Sequence, residues 1–356
     1  MIGERLVIAR KSAGLSLRDL EQEIGKAVTF QAIQKYEANE AMPSSSVLRG
    51  LARALGVTER YLLNPRQIDI TGVQFRPGID GSAKQLGSLK AQLLSAIEKY
   101  IDVEELVPGA DINWVQPSGF PYPIVRMEDV ELAAARLRAA WNLGSQPISD
   151  LPELLEERGI KVISLKLDPK VSAILCTVQR GNHPPMPLIA VNVDAQGEYQ
   201  RFGLVCELAH LVLDFESIRE AESVCERFAR AFLMLHDVFI SAIGKARKLL
   251  PMGELFRLKA MFGVAVVQIV HRCADLGIIN TEEKRRLFTI FADKGWTKSP
   301  YREPFSNRCQ RPSRFERLCL RAFAEDLVSE SRVAELLGVS TRELGRYYDE
   351  MLGGPA

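Results

Sequence analysis

At 356 residues the chain is long enough for two or three domains, and 47% hydrophobic with 26% charged residues is the balance of a soluble globular protein. A formal net charge of +1 excludes a polycation, so any nucleic-acid contact must come from a local patch. Six cysteines (176, 206, 225, 273, 309 and 319) contain no Cys-x-x-Cys pair, which argues against a disulfide framework or a zinc ribbon and for reduced thiols. The start Met-Ile-Gly-Glu-Arg lacks the pattern of a signal peptide, and no apolar run is long enough to span a bilayer. A cytoplasmic protein without membrane association is expected.

Residues 1–65 read as five short helices. Leu6, Ile8 and Ala9 mark the first, stopped by Ala13-Gly14. Ser16 with Asp19 three residues on caps the second, and Leu17, Leu20 and Ile24 face inward. Thr29 caps a third helix to about Ala38. Pro43 and Ser44–Ser46 open a fourth, closed by Gly56, and Thr58 caps a short fifth. This succession suits a helix-turn-helix domain.

The run Leu15-Ser-Leu-Arg-Asp-Leu20, then Ile24-Gly25, Ile33-Gln-Lys-Tyr-Glu37, Pro43 and Leu51-Ala-Arg-Ala-Leu-Gly-Val57 resembles the lambda-repressor-like Xre family. Two features depart from it: about two extra residues after Gly25, and Asn39 where the family often has Gly, Asn being tolerant of the left-handed conformation. The resemblance implies that the third helix enters the DNA major groove, presenting Thr29, Gln31, Ala32, Gln34 and Lys35. Gln reads adenine bidentately, and Thr and Lys suit phosphates or base edges. Residues 1–63 hold nine Lys/Arg against seven Asp/Glu. So weakly basic a unit needs a homodimer on a two-fold operator to bind tightly.

Residues 66–127 read as a connector. A Gly/Pro-containing linker over 66–81 holds one short strand within Ile68–Phe75. A helix from about Ser82 to Leu106 follows, its Leu86, Leu89, Leu93, Leu94, Ile97 and Ile101 forming a seam for another domain or subunit. Residues 107–125, with four prolines, read as a loop. Residues 128–240 give a compact α+β domain. It has two helices (128–141 and 149–159), three strands (160–165, 171–178 and 187–193) and two more helices (198–215 and 220–234).

Within the first of those last helices, Cys206-Glu207-Leu-Ala-His210 places a thiol and an imidazole four residues apart on one face, with a carboxylate beside them. Such a set can ligate a metal ion and work on its bound water, and differs from His-Glu-x-x-His at one position. The Ile189-Ala-Val-Asn192 strand, Arg201-Phe202, Glu207-Leu208, His210-Leu211 and Glu222-x-x-Cys-x-x-Phe228-Ala229 together resemble the ImmA/IrrE family of zinc metallopeptidase-like proteins. The resemblance implies a zincin-like fold, with metal ligands at Cys206, His210 and Glu222 and the general base at Glu207. Cys206 stands where the family has His. A thiolate can still ligate zinc, but it reaches less far and makes the metal a poorer Lewis acid. Without metal, Cys206 is a small buried hydrophobe. Among substitute ligands, His236 lies nearest and Glu226 shares a face with Glu222.

Residues 241–356 read as mostly helical, with helices over 255–276, from Thr281 and over 315–328, a basic loop over 298–313, and a helix-turn-helix-like pair over 331–344. Regulators that fuse the two domains carry a similar tail, including Gly295-Trp296 and Glu303-Pro304, expected to pack on the peptidase-like domain or form a dimer. The expected fold is thus mainly α, with a small zincin-like α+β domain. Three functions stay open. One is a DNA-binding transcriptional regulator whose second domain senses a signal or binds a partner. Another is a zinc endopeptidase that cleaves a partner repressor or antitoxin. The last is an antitoxin-like autorepressor that neutralises a toxin.

Overall fold

The computed structural model describes residues 2–57, 59–63, 68–73, 83–215, 220–298, 301–306 and 309–345. The cap expected at Thr58, the helix start at Ser82, linker positions 66, 67 and 74–81, and positions 299, 300, 307 and 308 of the basic loop lie outside them.

Helices α1 (Ile2–Ser12), α2 (Leu17–Glu23), α3 (Phe30–Glu37), α4 (Ser45–Leu55) and α5 (Glu59–Leu63) come first, then strand β1 (Ile68–Thr71) and the long α6 (Ala83–Leu106). Strand β2 (Tyr122–Pro123), α7 (Asp129–Ala140), α8 (Leu151–Glu157), β3 (Lys161–Leu165), β4 (Ala173–Arg180), β5 (Met186–Asn192), α9 (Gly197–Val212), β6 (Leu213–Asp214) and α10 (Ala221–Leu233) follow. The remainder is helical: α11 (His236–Ile243), α12 (Met252–Phe262), α13 (Val266–Asp275), α14 (Thr281–Asp293), α15 (Arg314–Ala324) and α16 (Glu330–Leu337). The described residues are mainly α with a small α+β part, as expected from the sequence.

The chain divides into two compact units, one gathering the described residues of 1–110, 177–185 and 318–356, the other those of 111–176 and 186–317. In the first, Leu6, Leu20, Ile33 and Leu51 are completely buried at the centre of the five-helix bundle. Local chemistry sets its corners. Ser16 and Asp19 form a reciprocal capping box, Thr29 and Ser44 accept from Ala32 N and Val47 N, and Gly56 ends α4 in the left-handed conformation. The seam of α6 (Leu89, Leu93, Ile97 and Ile101) is buried inside this unit. Along α1 the buried Arg5 pairs with Glu98 of α6, and β1 pairs antiparallel with the Thr177–Arg180 half of β4. At the other end of α6, Arg332 of α16 reaches Asp102 at 3.3 Å and Arg180 reaches Glu105 at 2.7 Å.

The second unit is built on β3 and β5, which run parallel with Lys161 opposite Leu188 and Leu165 opposite Asn192. The first half of β4 lies beside β5. Buried Asn192 closes the end of this sheet. Its Oδ1 accepts from Leu167 N and Asp194 N, its Nδ2 donates to Asp168 O and Val171 O, and its carbonyl accepts from Gln200 of α9 at 2.7 Å. Thirteen of the sixteen residues of α9 are buried, so it runs through the core, packed against α10 and β5, with α7 packed in turn against α10.

Three sequence expectations change. The loop over 107–125 contributes β2, which pairs parallel with β6, and the helix expected to reach Phe215 gives way to β6 after Val212. Buried Tyr122, whose hydroxyl donates to Ser118 O, anchors that short pairing. The helix expected over 255–276 is two helices, because Gly263 adopts φ +69° at the end of α12, and Ala265, extended, starts α13.

The tail is fastened to the start of α9. Lys259 of α12, 1% exposed, places its ammonium 2.5 Å from Glu198 Oε1 and 2.9 Å from Glu303 Oε2, both carboxylates fully buried. Val266 N and the Tyr199 hydroxyl also donate to Glu303, and Ser306 Oγ donates to Glu198. Breaking a buried ion pair at one partner is costly because the other charge stays uncompensated. Lys259→Met is expected to lower the unfolding free energy by about 3–5 kcal/mol, read by urea denaturation of the full chain. A loss below about 1 kcal/mol would show the triad to be dispensable.

Candidate functional site

Two places carry the residues singled out from sequence, one in each unit. In the first, α2 and α3 are joined by a turn in which Gly25 and Lys26 both take positive φ (65° and 57°), which accommodates the extra residues there. Asn39 adopts φ 59°, the left-handed conformation anticipated for it. The end of α3 is locked to α1. Arg10 makes two bonds to Glu37 at 2.6 and 2.9 Å, Asn39 Oδ1 accepts from Gly3 N at 2.8 Å, and a Cβ on Gly3 would lie 2.2 Å from Glu37 O. Held this way, α3 buries Ile33 and leaves Gln31, Gln34 and Lys35 exposed beside half-buried Ala32. Thr29 is exposed too, but its hydroxyl already caps α3 at 3.3 Å from Ala32 N. The predicted contact residues therefore share one helix and its cap, and present amide and ammonium donors on a rigid surface.

In the second unit, α9 and α10 bring part of the predicted metal set together. His210 Nε2 lies 3.8 Å from Glu222 Oε1, both side chains partly exposed, and the His210 ring meets Phe215 edge-on at 5.7 Å. Cys206 is elsewhere. It is fully buried, with its thiol directed at the carbonyl of Cys225 on α10 at 3.9 Å. Glu207, 6% exposed, accepts from Leu175 N of β4 at 3.1 Å.

The substitute ligands His236 and Glu226 are occupied otherwise, and the two remaining histidines lie in other surroundings. His236 Nδ1 is 2.8 Å from Asp237, and Glu226 pairs with Arg230 at 3.7 Å. His183 sits beside Arg180 in the first unit. His271 packs against Phe288, and burial, then the charges of Arg230 and Lys284, pushes its pKa down to about 4. Among the described residues no group of three His, Cys, Asp or Glu side chains is placed to hold a metal ion. The thiol chemistry explains why: Cys206 Sγ ends about where an imidazole's inner carbons would, so it satisfies itself on a nearby carbonyl instead of reaching the half-open end of the helix. This donor set, as arranged, does not fit a three-ligand zinc centre.

Around these residues, burial lifts the Cys176 thiol to about 12, with the nearby Glu207 carboxylate adding to it, so the thiol stays protonated and donates to Leu188 O. Arg201, 4% exposed, donates to Ile148 O and lies along Gly263, and burial draws it down to about 10. Cys225 and Phe215 had not been assigned a role from sequence. The Cys four residues before His210 was the available signal, but not the direction of its thiol.

A core helix flanked by a small sheet, with Glu207 and His210 on it and Glu222 on the next helix, defines a zincin-like domain; the five-helix unit before it is a helix-turn-helix. Comparison with protein families agrees: residues 6–62 match the helix-turn-helix model and residues 155–274 match the IrrE N-terminal-like domain model. The chain is thus a fusion of an Xre-like helix-turn-helix with an ImmA/IrrE-like domain. Comparison with curated proteins and with solved structures gives no significant match. No helix of the described residues is long and apolar enough to cross a membrane.

The neutral state of His271 gives this unit a pH dependence. Its pKa falls from 6.5 to about 4 on folding, so between those values the unfolded chain binds more protons and stability is lost as pH falls. The unfolding free energy is expected to decline from pH 6.5 towards pH 4, with a shallower slope in His271→Phe. An unchanged slope in that variant would assign the acid sensitivity to other groups.

Proposed function

We propose that the protein is a sequence-specific DNA-binding transcriptional regulator of the cytoplasm that acts on a two-fold operator as a homodimer. Its ImmA/IrrE-like domain serves as a sensing or partner-binding module, not as a peptidase. The observation that carries this reading is the pairing of two states in one chain. The recognition helix is rigidly presented with Gln31, Gln34 and Lys35 exposed, while the thiol at the first ligand position is turned into the core.

On the DNA side, α3 stands where a helix-turn-helix places its groove-reading helix, and the lock from Arg10 and Asn39 fixes its angle relative to α1. Gln31 and Gln34, one turn apart, reach adjacent base pairs, and Lys35 takes a backbone phosphate. On the other side, the partly exposed His210–Glu222 pair makes a small polar surface at the end of α9, with the buried Glu207, held by β4, one turn before it. It can accept a partner segment without any hydrolytic step. The four-part division at about 65, 127 and 240 is kept as a proposal for functional segments.

Two measurements test the reading. Gln31→Ala and Gln34→Ala are each expected to weaken binding to the protein's own promoter region by about 1–3 kcal/mol while leaving non-specific binding unchanged. Unchanged specific binding in both would remove α3 as the reader. Protein purified without chelator is expected to carry less than about a tenth of an equivalent of zinc. Near-stoichiometric zinc, with cleavage of a co-expressed repressor or antitoxin, would replace the regulator reading with the peptidase one.

A further inference from the structure

A cleft of about 780 Å³ opens inside the first unit, on the face of α1 that the helix-turn-helix core does not use. Leu6 and Ala9 point into that core, whereas Glu4, Ile8 and Lys11, spaced four and three residues apart, line the cleft. The facing wall is α6 with Gly87, Lys90 and Leu94, and Ile68 and Ile70 of β1 complete an apolar floor. The volume lies within the range of pockets that enclose a small organic molecule, roughly 300–1,000 Å³.

The charges around the cleft are not all equivalent. Arg5 is paired with Glu98, and Glu37 is held by Arg10. Lys11 and Lys90 are exposed and, among the described residues, neither has a carboxylate partner. They lie at one end. The contact of Arg5 with Glu98 and the 3.9 Å approach of Lys11 Cδ to the Cβ position of Gly87 show that α1 and α6 run antiparallel, with Lys90 one turn beyond Gly87. Glu4 is at the other end, about 10 Å away along the axis of α1, which is about a Debye length at physiological ionic strength. Asp69 directs a carboxylate oxygen to its own neighbour, accepting from Ile70 N at 2.8 Å.

We propose that this cleft is a binding site for a small amphipathic organic anion. Its carboxylate or phosphate sits between Lys11 and Lys90, and its apolar body lies over Ile8, Ile68, Ile70 and Leu94. The ligand would rest directly on the first helix of the helix-turn-helix, the helix whose Arg10 and Gly3 hold α3. The site is independent of the ImmA/IrrE-like domain. Because it is read on the DNA-free protein, its failure leaves the DNA-binding reading untouched, and the reverse holds.

The test is calorimetry on the full chain with decanoate and decyl phosphate, kept below their micelle concentrations, and decyltrimethylammonium as the charge-reversed control. One anion is expected to bind one per chain, at least about tenfold tighter than the cation, and the tighter anion identifies the headgroup. Lys11→Glu and Lys90→Glu should each weaken it by about tenfold or more. Gly87→Leu should abolish binding, since a side chain there meets nothing nearer than Lys11 Cδ and grows into the cleft. That change also raises helix propensity, so the fold is retained. Equal binding of the cation, or affinity unaffected by Gly87→Leu, would overturn the site.

Discussion

The second unit depends on one buried cation. Lys259 sits between Glu198 and Glu303 with almost no exposure, and each carboxylate is further satisfied by a hydroxyl or a backbone amide. An ammonium group so far from water is tolerated only where its partners are fixed, and here the last turn of α12 is tied to two distant stretches, the first turn of α9 and the segment after Trp296. Coulomb attraction in a poorly polarisable interior is strong, so the start of α9 cannot drift without exposing an unpaired charge. Everything that α9 carries, including Cys206, Glu207 and His210, inherits its position from that anchor.

The anchored helix lies in an apolar core that admits few polar side chains, and several of these are tied to backbone groups. Asn192 meets four backbone groups, Gln200 joins the sheet end to α9, and Glu207 takes the amide of Leu175. The same rule governs Cys206. An imidazole at that position could extend past Cys225 to the open end of the helix, whereas a thiol is short, and its hydrogen finds the Cys225 carbonyl. The short side chain thus keeps this position inside the core, while His210 and Glu222 stay partly exposed further along.

Much of this was legible from residue spacing. Capping residues such as Ser16, Thr29 and Ser44 mark helix starts because their side chains accept from the amide three residues on, a purely local bond. The strands from Lys161 to Asn192 were readable from β-branched runs for the same local reason. What escaped depends on non-local partners. The β2–β6 pairing joins residues about ninety positions apart in the chain, and neither strand is long enough to show alternation. The break after Phe262 was signalled by Gly263, but a single glycine inside an apolar run does not separate a helix end from a tolerated interior position. At the candidate site, the identities of Cys206, His210 and Glu222 were plain, and the direction of the thiol was not, because it is decided by a carbonyl nineteen residues away.

In the first unit, α3 of the helix-turn-helix is positioned by contacts that lie away from its exposed Gln31, Gln34 and Lys35. Helix α3 is held by α1 through Arg10–Glu37 and Gly3–Asn39, and α1 is held in turn by α6 through Arg5–Glu98. Any molecule that binds along the α1–α6 seam with different affinity in two arrangements of α1 must shift their populations by that difference and no more. A tightly packed seam would offer no room for such a difference, since close-packed interiors transmit strain but admit no ligand. Here the seam is apolar and buried along Leu93 and Ile97 yet opens beside Gly87, which has no side chain to fill the cleft. Gly87 therefore sits two helical contacts away from the exposed Gln31, Gln34 and Lys35, close enough for a change in α1 to be felt at α3.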